Sequence, residues 1–417
     1  MFHCSQNPLL SHYPAMKQFK GFLFKLTLKF FVLNLRLLGL FPYCYNISKR
    51  TIRSSTLWYV YTVTFLLIYA IAIGFSNVAT VKYVLVAHPQ YNVFMLTISM
   101  INSYIGTMAT YLTVVLYVTR FRNLLTQCIA LWYTLRTKCT EDFDRKIFSR
   151  FLVKMVFIDG TSTIGAATIR AIQAFQRKQL SLLAEALSYV FSYSLNACTT
   201  NLFVAAAYLG GHYFRLINGR IYLLHQQLND LEQHGHVWRL NHMKIHQLYD
   251  EIMDEMDQLV KLHDQVNQTI LNFMQLHDIT LIMLIIKNFG VIMQGIFIAY
   301  VSTVVELRLN QTPSLGTYGM VSFLAAFHFC QFYYLTSSAL LYSKRGEKTG
   351  QIIDQIPRKR HFQHFDTKIE SLSLELLHRS CKINVKGLFR IDLSLLYSSI
   401  ATMTSYLIVS VQFQMTT

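Results

Sequence analysis

The feature that most constrains this chain is a set of long stretches without a charged residue. Four of them cover residues 54–81, 83–119, 309–343 and 393–417 of the 417. A helix of about 20 apolar residues crosses the hydrocarbon core of a bilayer, so each stretch is long enough to span a membrane. Only 14% of all residues are charged, whereas soluble proteins have roughly 25%. The sequence therefore predicts an all-α protein that crosses a membrane several times.

Seven segments have the length and apolar character of membrane-spanning helices. The third is the weakest because Lys154, Asp159 and Arg170 interrupt it, and a six-span alternative omits it. All six prolines fall outside the seven segments, as expected because proline interrupts the hydrogen bonds of a helix. The predicted spans are residues 57–76, 94–118, 151–170, 186–208, 279–302, 317–342 and 393–415.

Lysine and arginine are distributed unevenly between the two sides that these spans define. Of the 38 Lys and Arg residues, 31 lie in the N-terminal segment and the loops on its side, and four lie in the opposite loops. Cytoplasmic loops carry the excess of positive charge. We therefore expect a cytoplasmic N-terminus and, with seven spans, an extracellular C-terminus, the reverse of a G-protein-coupled receptor. The net charge of +17 then reflects membrane orientation and does not indicate nucleic-acid binding.

The non-spanning segments divide the chain into four parts. Residues 16–41 mix lysines with apolar side chains, which is typical of an interfacial helix on anionic membrane lipid; a poorly ordered tail is the alternative. The four parts are a cytoplasmic N-terminal segment at 1–56, a six-helix ligand-binding region at 57–342 with a helical cytoplasmic loop at 209–275, a cytoplasmic anchor segment at 343–392, and the last helix with a short tail at 393–417.

Apolar residues recur every three or four positions in the long cytoplasmic loop, for example at Leu259, Leu262 and Val266. This spacing predicts amphipathic helices, with a break near Gly235. We expect the fourth and fifth spans to continue into the cytosol as paired helices. His242 and His246 have a spacing that zinc sites use, but a solvent-facing helix surface is the favoured interpretation.

The segment before the last span has the same period. Ile369, Leu372, Leu376 and Ile383 predict a helix that packs on the cytosolic extensions. The sequence contains no phosphate-binding loop, nucleophile elbow or Gly-rich dinucleotide turn, the motifs that mark common enzyme sites. We therefore expect no enzyme activity, catalytic residue, cofactor or metal.

The last span carries a polar stripe. On an ideal helix of about 100° per residue, its polar residues fall within an arc of roughly 80°, and most of the opposite side is Leu, Ile and Val. One interpretation is a helix–helix interface, where hydroxyl side chains pack closely. The other is the wall of a water-filled pore, which requires several copies around an axis. The stripe consists of Ser394, Ser398, Thr402, Ser405 and Gln412.

The end of this span reads Ser405-Tyr406, five further residues, then Gln412-Phe413. It resembles the C-terminal signature of insect gustatory receptors, which is Thr-Tyr, five hydrophobic residues and Gln-Phe. Ser405 replaces the threonine and Ser410 interrupts the hydrophobic run. The preceding Gly387-Leu388-Phe389, followed by Ile391-Asp392, also resembles the lead-in to that family's last helix.

This resemblance implies a tetrameric ligand-gated non-selective cation channel in which the last helix of each subunit lines a shared pore and its Gln-Phe end contributes to the gate. We therefore expect a taste receptor subunit in the plasma membrane of sensory neurons. It would bind a small-molecule tastant and form a homo- or hetero-tetramer with related subunits. The alternatives are an odorant- or pheromone-type receptor and a non-conducting subunit that signals through a partner. The expected pore and gate residues are Ser398, Thr402, Ser405, Tyr406, Gln412 and Phe413.

The resemblance also implies a ligand pocket within each subunit, among the outer halves of the middle spans. Those parts of the sequence are rich in aromatic and amide side chains, as pockets for small organic ligands are. Ordinary packing is the alternative for most of these residues. The candidates are Tyr189 and Tyr193 on the fourth span, Gln294 and Tyr300 on the fifth, and Tyr318, Phe323 and Phe327 on the sixth.

Charged residues inside spans are costly and need partners. Asp159 on the third span is a candidate partner for Lys287 on the fifth, and Glu185 and Arg170 form a second candidate pair. Asn310 begins an Asn-Gln-Thr sequon in an outward loop and is therefore a candidate glycosylation site.

Overall fold

Long helices make up nearly all of the regular structure. The computed structural model describes residues 26–46, 51–87, 93–139, 145–165, 167–168, 172, 180–234, 242–308, 315–357 and 363–416. The helices are α1 at 26–37, α2 Thr56–Ala87, α3 Val93–Leu116, α4 Val118–Lys138, α5 Arg145–Val153, α6 Leu180–His234, α7 His242–Leu276, α8 Asp278–Arg308, α9 Leu315–Asp354, α10 Gln363–His378 and α11 Leu393–Thr416.

The seven predicted spans coincide with helices. The third runs from the end of α5 through a π-helix at Lys154–Gly160 into further helical residues at 161–165 and 167–168, as far as the structure describes it. Among the described residues, one helix is long and apolar enough to cross a membrane by itself, Asp278–Tyr300 within α8. Residues Ile101–Leu116 and Val118–Lys138 pass this test only as a pair that bends by 77°. The structure is thus mostly helical, as predicted, while the count of seven crossings and the orientation of the termini stay predictions.

The helix that contains the fourth predicted span is far longer than one bilayer crossing requires. Helix α6 has 55 residues, about 80 Å at 1.5 Å per residue, whereas the hydrocarbon core is about 30 Å thick. It ends at His234, beside the predicted break. Helix α7 packs on α6 and runs into α8 at His277, whose backbone N–H donates to Met274 O at 3.0 Å. The two extended helices are therefore found packed together as predicted, while their cytosolic location stays a prediction.

The extended ends of α6, α7 and α9 pack with α10 into one apolar core. Met256, Leu259 and Val266 of α7 are essentially inaccessible to solvent, as their spacing predicted. Two glycines allow close approach in this bundle. A Cβ on Gly210 would lie 2.8 Å from the Tyr342 ring, and one on Gly346 would lie 2.6 Å from Cys381 Sγ. We refer to this packed region as the anchor bundle.

Two short antiparallel hairpins correct the prediction of an exclusively α-helical protein. Strands β1 (Tyr43–Asn46) and β2 (Thr51–Ser54) precede α2, and strands β3 (Asn384–Val385) and β4 (Phe389–Arg390) precede α11. Ile383 lies between α10 and β3, outside the predicted helix, although its side chain is buried as expected.

The turn of the second hairpin uses left-handed backbone angles. Lys386 has φ 46° and Gly387 has φ 71°. Glycine adopts such an angle without the steric cost of a side chain. A sequence period of three and four therefore marked buried residues here but did not distinguish a helix from a tight hairpin.

Helix α1 coincides with the second half of the predicted interfacial helix. Phe31 and Leu35 are buried in a core cluster with side chains of α2 and α3, and Arg36 donates to Tyr43 O at 2.7 Å. Several large apolar side chains face away from the protein, namely Leu26, Leu28, Phe30, Leu33 and Leu37. The described helix is thus anchored on one side and apolar on the other.

Candidate functional site

Among the described residues, helix α11 packs on α8 and α9, and its buried side chains lie on one side. Leu396 and Met403 are buried on that side. Ser398, Thr402 and Ser405 are exposed, and on an ideal helix they lie roughly opposite the two buried residues. Within the part of the chain that the structure describes, the polar stripe is therefore not a helix–helix interface of this subunit.

The hydroxyl groups of this stripe donate their protons within the helix. Ser398 donates to Leu395 O at 3.0 Å, Thr402 donates to Ser398 O at 2.8 Å, and Ser405 donates to Ala401 O at 3.1 Å. Their remaining oxygen lone pairs are acceptors. The stripe is therefore a row of oxygen acceptors on the exposed surface of α11.

The C-terminal end of α11 continues this face. Gln412 is exposed, and the Tyr406 side chain is 60% exposed. Phe413 lies on α11, but its side chain is outside the described residues.

Asp392 fixes the start of α11. Its Oδ1 accepts from the backbone N–H of Ser394 at 2.9 Å and of Leu395 at 3.3 Å, which is the geometry of a helix N-cap. Its Oδ2 lies 3.1 Å from Arg390 Nε, and Arg390 also reaches Ser343 Oγ on α9 at 3.5 Å. The second hairpin thus joins α9 to the first turn of α11.

A fully buried ionic network joins the third predicted span to α6 and α9. Lys154 Nζ donates to Asp159 Oδ2 at 3.1 Å, to Asn201 Oδ1 at 2.6 Å and to Gln331 Oε1 at 2.7 Å. Asn201 and Gln331 in turn donate to the Asp159 carboxylate at 2.7 Å and 2.6 Å. Every member therefore has a partner, as a buried charge requires.

The sequence pattern did not predict this network, and the predicted pairing of Asp159 with Lys287 is wrong. On an α-helix Lys154 and Asp159, five residues apart, would point about 140° away from each other. The π-helix closes its hydrogen bonds over five residues, so it brings the two side chains to the same side. The signal in the sequence was two opposite charges at this spacing within an apolar span.

A second polar cluster connects α6, α8 and α9. Lys287 Nζ donates to Ser192 Oγ at 3.2 Å. Its neighbour Asn288 is fully buried, and the Oδ1 of Asn288 lies 2.7 Å from His328 Nδ1 and accepts from Asn196 Nδ2 at 3.3 Å. This cluster was also absent from the sequence analysis apart from Lys287.

The predicted ligand-pocket residues are found near this second cluster only in part. Tyr193 meets the Phe327 ring edge-on with 5.6 Å between ring centroids, and it lies 5.7 Å from His328. Phe323 instead packs on Gly165, where a Cβ would lie 3.1 Å from the ring. Gln294 and Tyr300 are half-buried on α8. The remaining candidates fall outside the described residues: the side chains of Tyr189, Tyr318 and Glu185, and the whole of Arg170 and Asn310.

A small cavity lies between α3, α6 and α8. Its volume is about 20 Å³, and one water needs roughly 10–15 Å³ of such volume. The cavity is lined by Gly106, Thr107, Thr110, Leu195, Asn196, Thr199, Thr280, Met283, Leu284 and Lys287. Within the described ranges, no group of three His, Cys, Asp or Glu side chains is arranged to hold a metal ion.

Three comparisons place the chain among known proteins. Residues 28–417 match the family described as 7tm Chemosensory receptor. A stretch of 70 residues, 17% of this chain, is 33% identical to a putative gustatory receptor 28b of Drosophila melanogaster, and this match covers 15% of that relative.

The fold is similar to that of the insect olfactory receptor OR5 from Machilis hrabei. The TM-score is 0.61 at 12% identity, over 94% of this chain and 98% of that one. The same receptor in complex with eugenol gives a TM-score of 0.59 at 11% identity, over 93% and 98% of the two chains. Since the family match covers almost the whole sequence and the fold agrees with a solved insect receptor, this chain belongs to the 7tm chemosensory receptor family.

Proposed function

We propose that this protein is a taste receptor subunit that binds a small-molecule tastant and gates a non-selective cation pore. Four copies, of this chain or of this chain with related subunits, would surround the pore with α11. The observation that carries this proposal is the exposed polar stripe of α11, which lies opposite the side that packs on α8 and α9. Gustatory function draws further support from the identity to a putative gustatory receptor over 70 residues.

The chemistry of the stripe suits cations in water. Ser398, Thr402 and Ser405 use their hydroxyl protons within the helix and turn oxygen acceptors outward. Rings of such oxygens stabilise hydrated cations, and an apolar ring closes a pore by excluding water. We assign the first role to these three residues and Gln412, the second to Phe413, and place Tyr406 at the rim.

Ligand binding would take place within the subunit, beside the ring contact of Tyr193 with Phe327. The structurally similar receptor was solved in complex with eugenol, a small organic molecule. Because α11 packs directly on α8 and α9, a ligand that shifts either helix would also move α11. The Arg390 contacts to Asp392 and Ser343 give this movement a second route.

The proposal places the chain in the plasma membrane of sensory neurons, with the anchor bundle in the cytosol and α1 on the lipid surface. The exposed apolar side chains of α1 fit that surface, as in other interfacial helices. We also propose glycosylation of Asn310, which predicts that Asn310→Gln abolishes a shift in gel mobility on endoglycosidase treatment.

Whole-cell current from cells that express only this chain tests the function, with a broad tastant panel applied. We expect an agonist-evoked cation current whose permeation or gating changes in Gln412→Ala and in Phe413→Ala. The matched control is Gln351→Ala, which changes an exposed glutamine on the cytosolic part of α9. Unaltered permeation and gating in both variants would contradict the pore assignment. A current that disappears under G-protein block would favour the receptor that signals through a partner.

A further inference from the structure

We infer that the cavity between α3, α6 and α8 binds a single hydroxyl group, that of water in the resting receptor and that of a hydroxyl-bearing ligand in the occupied one. This inference deepens the proposed ligand-binding function and names the chemical class of the ligand. It rests on the donors and acceptors that line the cavity, as follows.

One acceptor in the cavity wall lacks a partner. Asn196 is 4% exposed, and its Oδ1 makes no hydrogen bond to the residues that the structure describes. Its Nδ2 is engaged with Asn288 Oδ1, which directs Oδ1 elsewhere. A buried acceptor without a donor costs about 1–3 kcal/mol. A group that occupies the cavity is therefore favoured if it can donate a hydrogen bond to Asn196 Oδ1.

The threonine oxygens reinforce this requirement. Thr110 donates its hydroxyl proton to Gly106 O at 2.9 Å. Thr280 lies 3.4 Å from Thr113 Oγ1, and Thr113 has already given its own proton to Ala109 O at 2.8 Å. Thr280 must then be the donor in that contact. Thr110 and Thr280 thus present oxygen lone pairs, and not protons, for further contacts.

Lys287 supplies the complementary donor. Its side chain is buried and lines the cavity, and its described hydrogen bond goes to Ser192 Oγ. A lysine ammonium has three N–H donors, so donors are left over. The ten residues that line the cavity include no Asp or Glu. The cavity wall therefore combines one strong donor with several acceptors.

A hydroxyl group fits this wall because it donates and accepts at once. Its proton would go to Asn196 Oδ1, and its oxygen would accept from Lys287 Nζ. An ether oxygen or a carboxylate would accept from Lys287, but neither gives Asn196 Oδ1 a donor, and a carboxylate would also face the lone pairs of the lining oxygens. The volume of about 20 Å³ admits a hydroxyl group but not the body of a larger ligand, which would extend out of the cavity.

Ligand-dependent stabilisation of the purified full-length protein tests this inference without requiring a current. The probes are straight-chain alcohols from ethanol to octanol and benzyl alcohol, each paired with its methyl ether. A ligand that binds the folded state raises the unfolding midpoint by mass action. We expect at least one alcohol to stabilise the wild type and to bind at least about tenfold more tightly than its ether, as one unsatisfied buried group would cause.

Three variants locate the effect. Asn196→Leu removes the acceptor and Lys287→Met removes the donor, and both should abolish the preference for alcohol over ether. Thr110→Val nearly conserves the side-chain shape and removes one acceptor, so it should weaken the preference for alcohol over ether. It tests the site even if the two larger changes prevent folding. Lys261→Met is the matched control, because Lys261 lies on the surface of the anchor bundle with 70% of its side chain exposed, and it should retain the preference.

The outcomes separate this inference from the proposed function. Equal stabilisation by alcohols and ethers, no stabilisation by any alcohol, or a preference that survives in the Asn196, Lys287 and Thr110 variants would overturn the hydroxyl site. A hydroxyl preference in a protein that conducts no current would leave the site intact and count against the channel. A tastant-evoked current without any preference for alcohol over ether would support the channel and overturn the hydroxyl site.

Discussion

Lys154 and Asp159 form an ion pair at 3.1 Å although they lie five positions apart along a single continuous helix. The π-helix at Lys154–Gly160 makes this contact possible, and Asn201 and Gln331 complete it from α6 and α9. The pair therefore fixes three segments of the bundle to one another. The contribution of the pair to the free energy of unfolding can be measured because each partner can be removed separately.

Lys154→Met should destabilise the protein strongly, since it leaves the Asp159 carboxylate buried without its cation. Breaking one side of a buried pair costs about 3–5 kcal/mol. The double variant Lys154→Met with Asp159→Leu should recover much of that loss, because no charge then remains buried. Thermal unfolding midpoints of the detergent-solubilised protein measure both effects.

Lys261→Met serves as the control for that comparison. Lys261 pairs with Asp257 one helical turn away at 2.7 Å on the exposed surface of α7. Solvent screens such a pair, so the unfolding midpoint should not change. Equal midpoints for Lys154→Met and Lys261→Met would show that the buried network does not stabilise the fold.

Gly346→Ala should destabilise the anchor bundle. The added Cβ would lie 2.6 Å from Cys381 Sγ and 2.9 Å from the Phe214 ring, and inserting a methyl group into a packed core costs typically about 1–3 kcal/mol. Gly290→Ala is the matched control on α8, because its Cβ would meet nothing within 4 Å. Since Ala favours a helix over Gly by about 1 kcal/mol, the control should be neutral or stabilising. A lowered unfolding midpoint in Gly290→Ala as well would contradict this account.

The sequence predicted the anchor bundle well and the polar interior poorly. Periodicity identified Leu259 and Val266 because a regular α-helix places residues three and four apart on one face. Lys154 and Asp159 escaped the same reasoning because a π-helix changes that relation. The stripe on α11 was visible in the sequence, but its direction relative to α8 and α9 depends on packing that no single helix encodes.

Asn196, whose Oδ1 has no partner among the described residues, illustrates a further limit of the same kind. Asn196 lies on α6, and its hydrogen-bonding partner Asn288 lies 92 residues later on α8. Neither residue belongs to a recognisable motif, and their contact depends on how the two helices pack. Polar residues inside an apolar span indicate a site, but the sequence does not show which of them meet.

The stability of the anchor bundle should depend on pH through His263. Its ring stacks on Phe214 at 4.4 Å, and its Nε2 lies 3.1 Å from Gly346 O. Burial, the largest cause, lowers the pKa of His263 from its ordinary value of 6.5 to about 4. Between these values the unfolded chain binds more protons than the folded one, so the free energy of unfolding falls as the pH falls.

We expect this loss to begin near pH 6.5 and to reach on the order of 3 kcal/mol by pH 4, at about 1.4 kcal/mol per pKa unit. His263→Gln should flatten the decline of the unfolding midpoint between these pH values. His378→Gln, which changes an exposed histidine on α10, should keep the decline of the wild type. Identical pH profiles for wild type and His263→Gln would refute the assignment to this residue.

The polar stripe of α11 makes a positional prediction for single cysteine substitutions. Cysteines at Ser398, Thr402 or Ser405 should react with a charged, membrane-impermeant thiol reagent and reduce the agonist-evoked current, since a water-filled pore exposes them. Met403→Cys is the control, because Met403 is buried on the side of α11 that packs on α8 and α9 and should stay unreactive. The wild-type chain provides a second control for its seven native cysteines.

Reaction of the stripe cysteines in an open but not in a closed channel would place the stripe beyond the gate from the side of reagent application. Failure of all three stripe positions to react in a conducting receptor would mean that the stripe contacts lipid or protein, and the pore would have to lie elsewhere.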